Sequence, residues 1–222
     1  MKKANVIPFT NGQRNAETLW LACQKNLLLE PKTKVPMIAS YYVGKLPNQL
    51  LNFQEAMSKK CTNYDAVVHF YIHDWRFVSL YRTPEKYVER LRQFKYVITP
   101  DMSQYRDMPY FTRYHNNCMN NAMGAYLQTH GVNVIANVSW SLPDSYEYAF
   151  AGIPKHTTIA INSNGVNSDP VARNLWLRGY EKAIETLQPE RIIRYGTKMP
   201  NENEAISVYF ENPIIRRMRY GC

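Results

Sequence analysis

The sequence predicts an α/β protein in which a mostly parallel, doubly wound sheet is flanked by helices, with a compact or incomplete (β/α) barrel as the alternative form. Three observations predict it. From Val35 onward short apolar runs alternate with helical stretches. Their connections are short, as parallel units joined by right-handed crossovers require. Five of the runs stop at clusters of small polar residues: His73-Asp74-Trp75, Thr99-Pro100-Asp101, Ser139-Trp140-Ser141, Asn162-Ser163-Asn164-Gly165 and Tyr195-Gly196. In a parallel sheet all five fall on the carboxyl edge, where open α/β folds place their binding crevice. About six to seven units fit the chain, short of the usual eight of a full barrel, and either form puts the site at the same strand ends.

The elements follow in order. Ala16 to Leu29 has helical spacing through Leu19, Trp20, Cys23, Leu27 and Leu28, and reads as a helix packed on the body. Val35 to Tyr42 is the first expected strand, and Pro47 to Lys60 the helix after it, with Leu50, Leu51, Phe53 and Met57 on its apolar face. Ala66 to Ile72 is a nearly unbroken apolar run, as suits a strand buried on both faces. Thr83-Pro84-Glu85 opens a helix with Thr as N-cap. Strands follow at Tyr96 to Ile98, Val132 to Val138, Thr157 to Ile161 and Arg191 to Arg194, with Ile206 to Phe210 as an edge strand. The longest helix is expected over Pro109 to His130, closed by Gly131. A short helix covers Tyr146 to Phe150, and Asp169-Pro170 opens another that runs through Leu187. The chain thus divides into an N-terminal helical extension (1–34), an α/β domain (35–212) and a basic tail (213–222).

The composition, 45% hydrophobic and 20% charged over 222 residues, is that of a folded globular protein. No apolar run approaches a membrane span, and Met1-Lys2-Lys3 is followed by no signal-peptide core, so a soluble cytoplasmic protein is expected. Cys23, Cys61, Cys118 and Cys222 form no C-x-x-C pair. His69 and His73 are four apart in a stretch that reads as a strand, which argues against a metal site there. Neither phosphate loop nor dinucleotide fingerprint occurs, which disfavours nucleotide-triphosphate hydrolysis and dinucleotide redox chemistry.

The net charge of +9 favours a polyanionic partner. Arginines interleave with rings at Trp75-Arg76-Phe77, Tyr81-Arg82, Tyr105-Arg106 and Tyr110-Phe111-Thr112-Arg113-Tyr114. Arginine can meet phosphate while rings stack on unpaired bases. Nucleic acid, DNA first, is therefore the expected partner, with Arg76, Arg82, Arg106 and Arg113 as its contacts.

Among the strand-end clusters, Asp101 follows a proline that fixes its turn, so its carboxylate is the first catalytic candidate, able to activate a water or steady an oxocarbenium-like cation. The competing role is a cap on its own loop. Asp74 is second, with Asp107 and Asp144 behind it. Paired with Asp101, Asp74 would suit a magnesium-dependent nuclease instead. Trp140 between Ser139 and Ser141 offers a wall for an extruded base. Asn162, Ser163 and Asn164 offer hydrogen bonds to a base edge or phosphate. Tyr195 completes the substrate-binding set.

The order of Thr99-Pro100-Asp101-Met102-Ser103, Gly124-Ala125-Tyr126-Leu127-Gln128, Gly131, Val134-Ile135, Val138-Ser139-Trp140-Ser141, Phe150-Ala151-Gly152-Ile153-Pro154, Asn162-Ser163-Asn164-Gly165 and Pro189 through Tyr195-Gly196 resembles domain of unknown function family 4417 over about residues 35 to 210. The resemblance implies a protein of bacteria, phages and mobile elements, with a role in DNA metabolism or phage conflict; it implies no established reaction. A looser similarity is to antiphage DNA glycosylases, although the Gly-Gln-Asp-Pro-Tyr motif of uracil glycosylases is missing. The expectation is a nucleic-acid hydrolase of the glycosylase type that needs no cofactor. The alternatives are a metal-dependent nuclease, which would use Mg2+, and a non-enzymatic DNA-binding or inhibitory phage protein.

Overall fold

The computed structural model describes residues 27–212 other than 42 and 47. Seven strands form one sheet: β1 (Leu50–Asn52), β2 (Val67–His69), β3 (Tyr96–Ile98), β4 (Val134–Asn137), β5 (Thr158–Asn162), β6 (Arg191–Tyr195) and β7 (Ser207–Phe210). Each pairs with the next in chain order, and every pair is parallel. The α/β parallel sheet is as predicted. Of its two expected forms, the order is that of the incomplete barrel, because a doubly wound sheet needs a point where the order reverses and none exists among the described strands.

Burial on the two faces agrees. On β4, Val134 and Ala136 point to one face, where the helices pack. Val134 joins a cluster with Val68, Val97, Phe77, Leu91 and Leu127. Ala136 joins one with Ile159, Ile192, Trp176, Tyr180 and Leu187. Ile135, between them, faces a separate interior cluster with Val67, Ile98, Ala160 and Ile193. Helices thus cover the convex face, while the concave face fills itself with side chains, as a barrel interior does. The curl is direct to see: on the concave side the Tyr195 ring from β6 stacks at 5.1 Å on Tyr71, which follows β2, and lies 4.6 Å from His69 of β2.

The helices are α1 (Phe53–Met57), α2 (Val78–Arg82), α3 (Glu85–Leu91), α4 (Tyr110–Thr129), α5 (Tyr146–Ala149) and α6 (Pro170–Leu187). Asp169 caps α6 by accepting from the Val171 and Ala172 amides, and Gly131 after α4 takes φ +77, as expected. Thr83 makes no cap. Its hydroxyl donates to the Ser79 carbonyl, and Pro84 holds the N-cap position of α3.

Two expected elements are corrected. Val35 to Tyr42 is no strand: its described residues make one isolated bridge, Leu29 to Pro36. Pro36 has no amide proton and cannot continue a ladder. The first strand lies instead at Leu50–Asn52, where a helix was expected; Leu50 faces the interior cluster and Leu51 the helical layer. Asn52 then caps α1, in a reciprocal box with Glu55. Of the helix expected at Ala16 to Leu29, the described residues 27–29 are not helical, and the rest, like the tail 213–222, lies outside the described residues.

One buried ion pair ties β6 to the segment before β7. Arg194 points to the convex side, fully buried, and its guanidinium meets both oxygens of Glu202 at 2.7 and 2.8 Å. It also donates to the Ile161 carbonyl and lies 4.6 Å below the Trp176 ring. Breaking such a pair leaves an uncompensated charge, which costs about 3–5 kcal/mol, whereas replacing both partners by apolar groups does not. Urea unfolding of Glu202→Ala should show a loss of about that size, and Arg194→Met/Glu202→Leu should recover most of it. Equal losses in the two variants would contradict this account of the pair.

Candidate functional site

The carboxyl ends of the strands surround a crevice of about 840 Å³, inside the range of roughly 300–1,000 Å³ typical of ligand clefts. Asp101, from the loop after β3, lies at its floor. Its Oδ1 accepts from Asn137 Nδ2 at 2.8 Å and its Oδ2 from Asn162 Nδ2 at 3.2 Å. Each amide is oriented by a second bond. Tyr71 donates its hydroxyl to Asn137 Oδ1 at 3.0 Å, and the Asn164 backbone amide donates to Asn162 Oδ1 at 2.7 Å. Both Nδ2 groups therefore have to face the carboxylate. Burial pushes the Asp101 carboxyl up to about 6, against the amide and Ser139 hydroxyl bonds that favour its charged form. The Asp74 charge adds to the rise.

Asp74 is not a second reactive carboxylate in this arrangement. Its two oxygens accept from the Ser103 amide and hydroxyl, at 3.2 and 3.0 Å, so it holds the loop that carries Asp101. Helix α4 holds the same loop as well. Asn120 Oδ1 accepts from the Met102 amide and Asn116 Nδ2 donates to the Ser103 carbonyl. One residue along, Asn117 and Asn121 donate to the Tyr148 and to the Pro36 and Ala151 carbonyls. Among the described residues no three His, Cys, Asp or Glu side chains converge as a metal cluster would.

Trp140 and Trp176 form an aromatic wall, with ring centroids 5.7 Å apart. Trp140 lies directly over Gly179 of α6, where a Cβ would come within 2.1 Å of its Nε1. Ser139 lines the crevice and accepts from Gln104 Nε2 at 2.8 Å. Ser141 does not line it; its amide caps onto the Ser145 hydroxyl. Asn162 and Asn164 both line the crevice, whereas the buried Ser163 donates to the Thr197 carbonyl. Gly196, at φ +102, leaves room for that turn, since a Cβ would lie 2.8 Å from Ser163 Oγ. Tyr195 lies below the floor in the interior stack, its hydroxyl pushed up to about 12 by burial.

The four arginines part company. Arg76 lines the crevice, donates to Gln54 and lies 4.9 Å over the exposed Trp75 ring. Exposed Arg106, next to the crevice residue Tyr105, pairs with Asp169 at 2.7 Å. Arg113 is buried, its fork on both Asp144 oxygens at 2.8 Å, which makes it a structural residue and accounts for Asp144 as well. Arg82 is exposed at the end of α2 and does not line the crevice, and Asp107 is exposed. Phe77 and Tyr81, expected among the stacking rings, are buried in the helical layer.

The histidines separate as well. His73 is exposed at the crevice, while His69 is buried with its ring pushed down to about 3 by desolvation. His69 Nδ1 accepts from the Tyr71 amide, so the neutral ring carries its proton on Nε2.

A family model described as Domain of unknown function (DUF4417) matches residues 33–213. The chain belongs to this family. It is 34% identical over 129 residues to the "Gene 1 protein" of Mycobacterium phage L5, covering 58% of this chain and 56% of that protein. To the "Gene 1 protein" of Mycobacterium phage D29 it is 33% identical over 129 residues, 58% of this chain and 48% of that one. The chain thus matches about half the length of these curated relatives. No solved structure matches it.

Sequence reasoning missed Tyr71, Asn137, Gln104 and the α4 asparagines. Signals existed for two of these: Asn137 is a polar residue inside an apolar run, and Asn116, Asn117, Asn120 and Asn121 recur at helical spacing. The fit of Trp140 on α6 yields a test. Gly179→Ala should drive the indole toward the crevice, destabilise the fold by about 1–3 kcal/mol and shift tryptophan emission to the red. Unchanged emission and stability would mean that the contact is not close.

Proposed function

We propose that the protein is a hydrolase acting on nucleic acid, DNA first, by a glycosylase-type reaction in the biology of phages or mobile elements, and that it works in the cytoplasm. The observation that carries this reading is the single carboxylate of Asp101, fixed by two oriented amides at the floor of an aromatic-walled crevice. A carboxyl near 6 is largely ionised at neutral pH yet basic enough to take a proton.

In the proposed step, a water adds to C1′ of the sugar of an extruded nucleotide as the bond from C1′ to the base breaks. The electron pair of that bond leaves with the base, which takes a proton from solvent. Asp101 accepts the proton released by the water and steadies the positive charge that builds on the sugar. Trp140 offers a face for the base, and Asn164 a hydrogen bond to its edge. Exposed Trp75 with Arg76, and Tyr105 with Arg106, offer stacking and phosphate contacts at the rim.

Bulk charge adds less than the whole sequence suggests: segments 1–26 and 213–222 each carry +3 of the net +9. Asp74, with both oxygens bonded to Ser103, favours a one-carboxylate reaction over a paired-acid nuclease. The phage origin of the two relatives supports the biological setting.

The test is to incubate the protein with plain and modified phage DNA, with and without EDTA. Abasic sites that persist in EDTA, disappear with Asp101→Ala and form faster as pH rises through about 6 are the expected result. Direct, EDTA-sensitive strand breaks would overturn this reading in favour of a nuclease. Absence of product on every substrate would favour a binding protein.

A further inference from the structure

Glu202 uses only part of the Arg194 guanidinium. Of the five hydrogen bonds that the group makes, two go to the Glu202 carboxylate. The other three go to backbone carbonyls at the carboxyl ends of β5 and β6: Ile161 at 2.7 Å, Thr197 at 3.4 Å and Tyr195 at 3.5 Å. For stability alone, apolar side chains of similar volume can replace a buried ion pair at little or no cost. Ordering those strand ends is a task that apolar side chains cannot take over, because they have no N–H to donate.

Trp176 of α6 extends the same support. Its ring lies 4.6 Å from the Arg194 guanidinium and stacks on Tyr180 at 5.3 Å. Its Nε1–H donates to the Asn162 carbonyl at 2.8 Å. Two successive carbonyls at the end of β5, those of Ile161 and Asn162, are thus held by Arg194 and by the ring packed on it. The Asn162 side chain leaves from that same point to donate to Asp101 Oδ2 at 3.2 Å.

We propose that Arg194 is a positioning residue of the site: together with Trp176 it sets the end of β5 so that the Asn162 amide stays on the Asp101 carboxylate. The action is geometric, since Glu202 neutralises the Arg194 charge. The charge of Asp74, which does act on Asp101, is left in place by every variant in the test. The proposal rests on the reading of Asp101 as the reacting carboxylate, and the experiment reads that carboxylate with no substrate present.

Carbon-detected NMR of the Asp101 carboxyl between pH 4.5 and 8, in the full chain, provides the test. The wild-type midpoint is expected at about 6. Arg194→Met/Glu202→Leu removes the support without stranding a buried charge, and the Asn162 bond loosens. That bond favours the charged carboxylate, so its loss raises the midpoint, by about one unit for one hydrogen bond to a charged group. Trp176→Phe keeps a ring over Arg194 but removes the N–H, and should raise the midpoint as well. Arg90→Met is the control: Arg90 donates to the Ala56, Ser58 and Cys61 carbonyls, none of which lines the crevice, and its loss should leave the midpoint where it is. An unchanged midpoint in Trp176→Phe or in the folded double variant, or an equal rise in Arg90→Met, would overturn the positioning role. If the double variant does not fold, Trp176→Phe against Arg90→Met decides. Any of these results leaves the glycosylase reading to stand or fall by the abasic-site assay.

Discussion

The donors that hold the Asp101 carboxylate are themselves locked, and the rest of the site depends on that constraint. Asn137 cannot turn its amide away while Tyr71 donates to its oxygen, nor can Asn162 while the Asn164 backbone donates to it. A carboxylate inside protein loses the solvation of water and must recover it from fixed dipoles. Here the recovery is partial, which is why the group settles near 6 rather than near 4. Preorganised donors of this kind do not have to rearrange when charge develops during a reaction.

That arrangement requires the curled sheet. Tyr71 leaves the end of β2, Asn137 ends β4 and Asn162 ends β5, and parallel order brings all three to one rim. Curling then packs Tyr195 beneath them, against Tyr71 and His69. Side-chain hydrogen bonds tie down the loops above. Asn116 and Asn120 hold the backbone of the Asp101 loop, Asp74 holds it as well, and Asn121 bonds the Pro36 and Ala151 carbonyls. Buried polar networks stiffen a structure only when their members are satisfied, and Gln104 Oε1 stands out as a member that is not.

Much of this was legible in the sequence, and the failures have physical causes. Periodicity located β2 to β7 and helices α3 to α6 because each buries a regular apolar face. It misread Leu50 to Asn52 because a three-residue strand running straight into α1 leaves no period to detect. Strand-end clusters brought Asp101, Ser139, Trp140, Asn162 and Asn164 to one crevice, since parallel topology alone puts them on one edge. Arg113 could not be told from Arg76 by composition: one is buried on Asp144, the other lies on Trp75, and only tertiary partners make that difference. Strand order, and with it the half-barrel, depends on which strands pair, which short apolar runs do not encode.

The measurement that tests the central claim most directly is NMR of the Asn137 and Asn162 side-chain amides between pH 4.5 and 8. If both are locked onto Asp101, their Nδ2 proton signals move together with one midpoint near 6, and that movement vanishes in Asp101→Ala. Amide signals that stay still through this range, or that follow a midpoint near 4, would contradict the account.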